Sequence, residues 1–254
     1  MVVPLSRGRR GRYGVDGPYI LLAMACVAAV GVAAGTYVTA ILGVAWGWIP
    51  FSITGLMLFC GVFHLHATLR GKFEVWAGLL EDLHLDGGER LLDLGCGRGA
   101  VLLMAAKYLT TGQAVGVDLW RCVDQSGNAI ETTERNAAIE GVRDRVELRT
   151  ADMTDLPFPD EQFDIVISSL AIHNIKAAGG QIRAIDEALR VLRPTGRMVI
   201  VDIEAVDSYR QHLIKRGASD VHLRSLGWRM WWGGPWLATS VITAVKPGEN
   251  SDAR

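Results

Sequence analysis

Residues 90–100 read Arg90-Leu-Leu-Asp-Leu-Gly-Cys-Gly-Arg-Gly-Ala100. A short apolar run holding one acid ends in three alternating glycines and passes into the apolar stretch Ala100–Leu109. This pattern predicts a buried strand, a tight turn and a helix. Glycines at 95, 97 and 99 let the backbone turn sharply and approach a ligand closely. The pattern is ambiguous by itself, because Gly95, Gly97 and Ala100 also satisfy the dinucleotide form G-x-G-x-x-A.

Downstream, strand-like and helix-like runs alternate. Strands are expected at Ala114–Asp118, Val146–Thr150, Phe163–Ser168, Arg197–Ile203, Asp220–Ser225 and Ala238–Val245. Helices are expected at Asn128–Glu140, Gln181–Leu192 and Ser208–Arg216. Asn128, with Glu131 three residues on, predicts an N-cap and its reciprocal partner. Alternation of this kind makes a largely parallel sheet covered on both faces, with its ligand site beyond the carboxyl ends of the strands.

Three carboxylates fall where such a site needs them. Asp93 lies inside the first strand beside the glycine turn. Asp118 ends the second, where a carboxylate holds two ribose hydroxyls, and Asp152 follows the third, placed to accept from an exocyclic amine of adenine. One acid at a strand end is ordinary, but three in order specify a nucleoside-bearing ligand.

With these residues in place, Arg90 to Pro247 resembles a class I S-adenosylmethionine-dependent methyltransferase, of the subgroup that includes the quinone C-methyltransferases. Leu91–Gly99 matches that family's first motif, and Leu156-Pro-Phe-Pro-Asp160 with Phe163–His173 resembles the subgroup. Arg190–Arg197 matches the turn into the fifth strand, with Thr195 where the family usually has a further glycine. Asn174 stands where a second His often follows His173. The resemblance implies an α/β fold, a Rossmann-like seven-stranded sheet whose last two strands form a hairpin, the final one antiparallel. It implies S-adenosyl-L-methionine as cofactor. The residues it places around the cofactor are Asp93, Gly95, Cys96, Gly97 and Gly99 from the first motif, Asp118 and Leu119, Asp152 and Met153, and Ser168. It is specific for cofactor, not for acceptor.

Methyl transfer from a sulfonium needs alignment first, and a base only when the acceptor starts protonated. His173, after the fourth strand, and Asp202, ending the fifth beside Glu204, are the candidate catalytic residues. Each has a plainer alternative: a loop His shaping the pocket, and capping or solvated carboxylates. No spacing suggests a metal site. Cys26, Cys60, Cys96 and Cys122 form no C-x-x-C and are expected to be free buried thiols.

The first third of the chain is of another kind. From Gly17 to Leu69 there is no Lys, Arg, Asp or Glu. A bilayer core takes about 20 apolar residues per helix, so this stretch is long enough for two spans, Tyr19–Leu42 and Ile49–Leu65. The turn between them is placed at Gly43–Pro50, with Trp46 and Trp48 at a headgroup boundary. Arg7, Arg9, Arg10 and Arg12 precede the hairpin, Arg70 and Lys72 follow it, and its turn has no charge. The positive-inside rule then puts both termini and the catalytic domain in the cytoplasm.

The expected plan is a basic N-terminal segment (1–18), the hairpin (19–66), a linker helix (67–88), the methyltransferase domain (89–247) and a flexible tail (248–254). In the linker, Phe73, Trp76, Leu79, Leu80 and Leu83 recur at helical spacing, as for a helix packed on the sheet or one lying along the membrane surface with Trp76 dipping in. The basic residues of the first 72 leave the remainder net acidic, with no general attraction for nucleic acid. The expected partners are the lipid bilayer and a small, apolar or lipid-phase acceptor. Alternatives are a methyltransferase acting on a soluble or protein substrate with the hairpin only an address, a non-catalytic cofactor-binding membrane subunit, and an NAD-dependent oxidoreductase. Trp228, Trp231, Trp232 and Trp236 fall between the last two strands. The sixth strand is expected to run parallel to its neighbours, which puts these Trp on the ligand face, as a packed corner or as a wall for a greasy acceptor.

Overall fold

The computed structural model describes residues 9–248. Arg7 and residues 249–254 of the expected tail lie outside them. Seven strands form one sheet: β1 (Arg90–Leu94), β2 (Gln113–Asp118), β3 (Val146–Thr150), β4 (Phe163–Ser169), β5 (Leu192–Asp202), β6 (Ser219–Ser225) and β7 (Ser240–Val245). Their order is β3-β2-β1-β4-β5-β7-β6, with β1 to β5 parallel and β7 antiparallel to both its neighbours. The order reverses between β1 and β4, which opens a crevice beyond their carboxyl ends.

The central strands are apolar because both of their faces are covered. Along β1, Leu91 joins one core and Leu92 and Leu94 the other; along β5, Val199 and Val201 oppose Met198 and Ile200. One face is covered by α3 (Lys72–Asp82) and α4 (Leu102–Ala106), the other by α6 (Gly180–Val191) and α7 (Val206–Lys215). In α3, Phe73, Trp76, Leu79 and Leu80 are buried, so this helix belongs to the core. Each fully buried large apolar side chain there contributes about 1.5–3 kcal/mol.

Some local expectations are corrected. Helix α5 spans Ile130–Glu140, its cap position is Ala129, and no side chain caps it. Asn128 instead donates to the Asp118 carboxylate at 3.1 Å, where an ionised acceptor makes the stronger bond. Strand β5 begins at Leu192, directly after α6, so Pro194 lies inside it. Thr195 takes φ 63°, the left-handed conformation that glycine adopts at no steric cost and a β-branched residue resists. Strand β6 pairs with β7 alone, antiparallel. It still runs in the direction of β5, so its connection to β7 leaves from the carboxyl side of the sheet. All four cysteines are free, but only Cys60 and Cys96 are buried.

The N-terminal third forms two helices long and apolar enough to cross a membrane. Helix α1 spans Pro18–Leu42 and α2 Val44–His66. The reversal takes one residue, Gly43 at φ 87°, so Trp46, Trp48 and Pro50 lie within α2 and not in a turn. The cost is one helical hydrogen bond, since Pro50 has no N–H for the Trp46 carbonyl. The helices meet through small residues: Ala28, Gly31 and Gly35 are buried on α1, and Thr54 Oγ1 donates to the Ala28 carbonyl at 3.2 Å. Such small residues let the two backbones approach closely.

A π-helical turn, Ala67–Gly71, joins α2 to α3, so one helix runs from Val44 to Asp82. The connection between β6 and β7 docks on this long helix, and the Arg229 carbonyl lies where a side chain at Gly71 would stand. Residues 10–13 are strapped onto α5: the Arg10 and Gly11 N–H groups and the Tyr13 hydroxyl all donate to Glu140 at 2.8 Å.

A side chain at Gly31 would strike Thr54 Oγ1 and the Pro50 carbonyl, whereas Gly55 faces open space. Gly31→Leu is therefore expected to destabilise the helix pair by about 1–3 kcal/mol, and Gly55→Leu to leave it unchanged. Thermal unfolding of the full chain in micelles measures both. Equal effects would dismiss the close crossing at Gly31.

Candidate active site

The glycine turn after β1 is drawn over β2 by two bonds, from the Gly95 and Cys96 N–H groups to the Val117 carbonyl at 2.9 and 3.1 Å. Gly95 takes φ 73°, and a side chain there would collide with Ala171 across the crevice. A Cβ at Gly97 would stand 2.6 Å from Gln125 Oε1. The loop can thus come close to a ligand only as glycine. Above it lies a cavity of about 480 Å³, within the range of small-molecule sites.

Asp93, Gly95, Cys96, Gly97, Asp118, Leu119, Asp152 and Met153 all line this cavity. Asp118 Oδ2 accepts from the Gly97 N–H at 2.9 Å, and its Oδ1 accepts from Asn128 and from the Trp120 N–H. The carboxylate that ends β2 thereby also fixes the glycine loop. Asp152 is held at the third strand end by the Thr154 N–H and hydroxyl, each at 2.8 Å, and these bonds hold its carboxyl below the usual range.

Two residues expected at the cofactor do not reach the cavity. Gly99, at φ 82°, turns toward Leu103 and Thr133 and serves the packing of the following helix. Ser168 is buried and donates to the Leu94 carbonyl at 2.9 Å, closing the β1–β4 seam. Its neighbour Ser169 lines the cavity instead and accepts from Trp76 Nε1 at 2.8 Å. Alternation along a strand sends adjacent side chains to opposite faces, so an error of one residue inverts the assignment.

His173 and Asp202 are brought together at 2.5 Å, from Nδ1 to Oδ1. Asp202 is wholly buried and also accepts from the His173 and Ile203 N–H groups at 3.1 and 2.8 Å. Neither residue lines the cavity, although Ala171 and Asn174, which flank His173, do. Glu204 is exposed. None of the four Trp residues between β6 and β7 lines the cavity either; they pack on α2, with Trp232 buried. Among the described residues, no three His, Cys, Asp or Glu side chains gather as a metal-binding set.

Sequence reading missed Asp16, Lys72 and Gln125. All three line the cavity, and the first two flank the hairpin. Lys72 Nζ is 2.6 Å from Asp16 Oδ2, which also accepts from the Thr68 hydroxyl at 2.8 Å. Asp16 Oδ1 accepts from Gln125 Nε2 at 2.7 Å, and Gln125 Oε1 accepts from the Arg98 N–H at 2.8 Å. A continuous polar chain thus runs from the end of the second apolar helix to the glycine loop. The available signal was Asp16 itself, the one acid among the first 72 residues.

The family model described as a methyltransferase domain matches residues 85–226. The chain belongs to that methyltransferase family. Among curated proteins it is 31% identical over 134 residues to the demethylmenaquinone methyltransferase of Symbiobacterium thermophilum, covering 52% of this chain and 50% of that protein. It is 33% identical over 134 residues to the 2-phytyl-1,4-naphtoquinone methyltransferase of Trichormus variabilis, covering 52% and 55%. The chain therefore spans about half the length of the curated relatives it matches. Among solved structures, a geranyl diphosphate methyltransferase in complex with SAM superposes with a TM-score of 0.56 at 19% identity, covering 73% of this chain and 90% of that one. At that identity the likeness is one of fold.

The cavity of this methyltransferase fits a cationic cofactor. Asp93 is buried, its Oδ1 has no hydrogen-bond partner, and it faces the space above the glycine loop. Burial first, and then Asp118, push its carboxyl up to about 8. A buried carboxyl in this state is completed by a positive ligand, and S-adenosylmethionine carries both a sulfonium and an ammonium. The Cys96 thiol is also pushed up by burial, so it is wall and not nucleophile.

A cation beside Asp93 lowers its pKa, so binding below about pH 8 is expected to release up to one proton. Cofactor affinity then rises with pH, by up to about tenfold per unit, and levels off above that pKa. Calorimetry at about pH 7, in two buffers of different ionisation enthalpy, reads this proton directly. Asp93→Asn is expected to abolish the release; an undiminished release in the variant would remove Asp93 from the site.

Proposed function

We propose that the protein is a membrane-anchored methyltransferase that moves the methyl group of S-adenosylmethionine to a small, apolar, lipid-phase acceptor. The observation that carries this reading is the composition of the cavity wall. Asp16 lies two residues before α1 and Lys72 six residues after α2, and both line the cavity. A hairpin that spans the bilayer sets that wall at the headgroups. An acceptor dissolved in the membrane then gains local concentration and need not be fully extracted into water. The relatives whose names specify quinones support an apolar acceptor.

In this reading Asp93, Gly95 and Gly97 hold the methionine end of the cofactor, Asp118 the ribose, and Asp152, Met153 and Leu119 the adenine. When bound, the cofactor supplies an activated methyl group. The chain supplies orientation, through fixed carboxylates and glycine backbone, and excludes water by closing residues 124–126 against residues 15–17. His173 lies just behind the cavity wall formed by Ala171 and Asn174, and is the candidate base for an acceptor that starts protonated and reaches past that wall. Asp202, bonded to Nδ1, fixes the orientation of the ring and leaves Nε2 to meet a proton. Lys72 has ammonium donors beyond the one given to Asp16, available to an anionic oxygen in the cavity. Both termini and the catalytic domain face the cytoplasm, as the basic flanks of the hairpin indicate.

Membranes holding the full chain, incubated with cofactor labelled in its methyl group, test the acceptor. Label is expected in the organic extract, on a quinone-type lipid. Label confined to protein or to water-soluble products would leave the hairpin as an address only. Topology is read separately with a membrane-impermeant thiol reagent on intact cells. Val44→Cys, at the exposed hairpin turn, is expected to react, and the native exposed Cys122 is not. The reverse pattern would invert the orientation.

A further inference from the structure

We propose that the connection between β6 and β7 dips into the bilayer beside α2, giving the catalytic domain its own contact with lipid. This rests on the reading of α1 and α2 as membrane spans. From Met230 to Val245 the chain carries no charged residue. The connection descends α2 in steps: Trp228 stacks on His66 at 4.9 Å, Trp231 meets Phe63 at 5.4 Å, and Trp236 meets Phe59 at 6.4 Å between ring centroids. From His66 back to Phe59 is seven residues, about 10 Å along the helix. That depth passes the headgroup level and enters the acyl boundary.

Polarity changes along the same path. At the upper end, Arg229 pairs with Glu74 at 3.2 Å, both half exposed. At the lower end, Trp236 is 59% and Leu237 39% exposed, level with the equally open Phe59. Gly233 sits against Met24 of α1 and Cys60 of α2, so the tip lies across both spans. The segment also pairs several of its own polar groups internally, which lowers the cost of placing it in lipid. The Trp232 N–H donates to the Leu237 carbonyl, the Leu237 N–H to the Gly234 carbonyl, and the Thr239 N–H to the Met230 carbonyl, at 3.1, 3.1 and 3.3 Å. Trp232 Nε1 donates to Thr239 Oγ1 at 3.1 Å. Apolar and internally bonded, with a Trp at its tip, the element suits lipid acyl chains continuous with those around α2.

The test uses the full chain in phosphatidylcholine vesicles, with the photoreactive residue p-benzoylphenylalanine placed singly at Trp236, Phe59 or Arg224, and intact mass read after irradiation. The expected result is a lipid adduct from positions 236 and 59 and none from 224. Adducts at 59 without 236 would leave the spans in the membrane and overturn the inserted connection. Position 236 joined only to a second copy of the chain would overturn it in favour of a protein contact. No lipid adduct at either position would overturn the membrane reading itself.

Discussion

The carboxylate of Asp16 is the constraint on which the architecture turns. It receives Lys72, Thr68 and Gln125, and these three belong to the linker after α2 and to the loop that closes the cofactor cavity. Taking an ion pair out of water costs several kcal/mol per charge, and the pair is tolerable only when further hydrogen bonds complete it. Asp16 meets that condition with both oxygens. Removing Asp16 would leave the buried Lys72 ammonium without its counter-charge, so the hairpin, the linker and the glycine loop are held as one unit.

This unit shows how a widespread catalytic fold is joined to two helices of membrane-spanning length. The sheet supplies the switch point between β1 and β4, and the glycine loop and strand-end carboxylates line a cavity there, the proposed cofactor cradle. Neither needs a membrane. The chain adds a wall to that cradle from outside the matched domain, using the residues where the two apolar helices leave and enter it. The π-helical turn at Ala67–Gly71 is the joint. It inserts an extra residue per turn, turns Thr68 and Lys72 toward Asp16, and brings bare backbone at Gly71 against Arg229.

Much of this was legible in the residues because short-range chemistry encodes it. Alternating apolar runs gave most strands to within a few residues, and the run Arg90–Ala100 with Asp118 and Asp152 located six cavity-lining positions, to which the family resemblance added Leu119 and Met153. The misplacements have local physical causes. Ser168 and Ser169 are adjacent and face opposite ways, so the strand's register decides between them. Asn128 had a backbone N–H and a carboxylate within reach, and the carboxylate won. Gly43 alone reverses the hairpin because φ near 87° is open to glycine, so Gly47 and Pro50 were left inside the helix.

The amino-acid sequence by itself determined the fold class and the presence of two membrane-length apolar helices, because each is written in periodicity or unbroken hydropathy, and the cofactor followed from the family resemblance of its motifs. Only the tertiary structure decided that Asp16 and Lys72, 56 residues apart, meet at the cavity, and that the four Trp residues lie along α2 and not at the cavity. Such pairings depend on how far the chain folds back before two groups come within a few ångströms. Long-range geometry of this kind leaves no periodic trace in the order of residues.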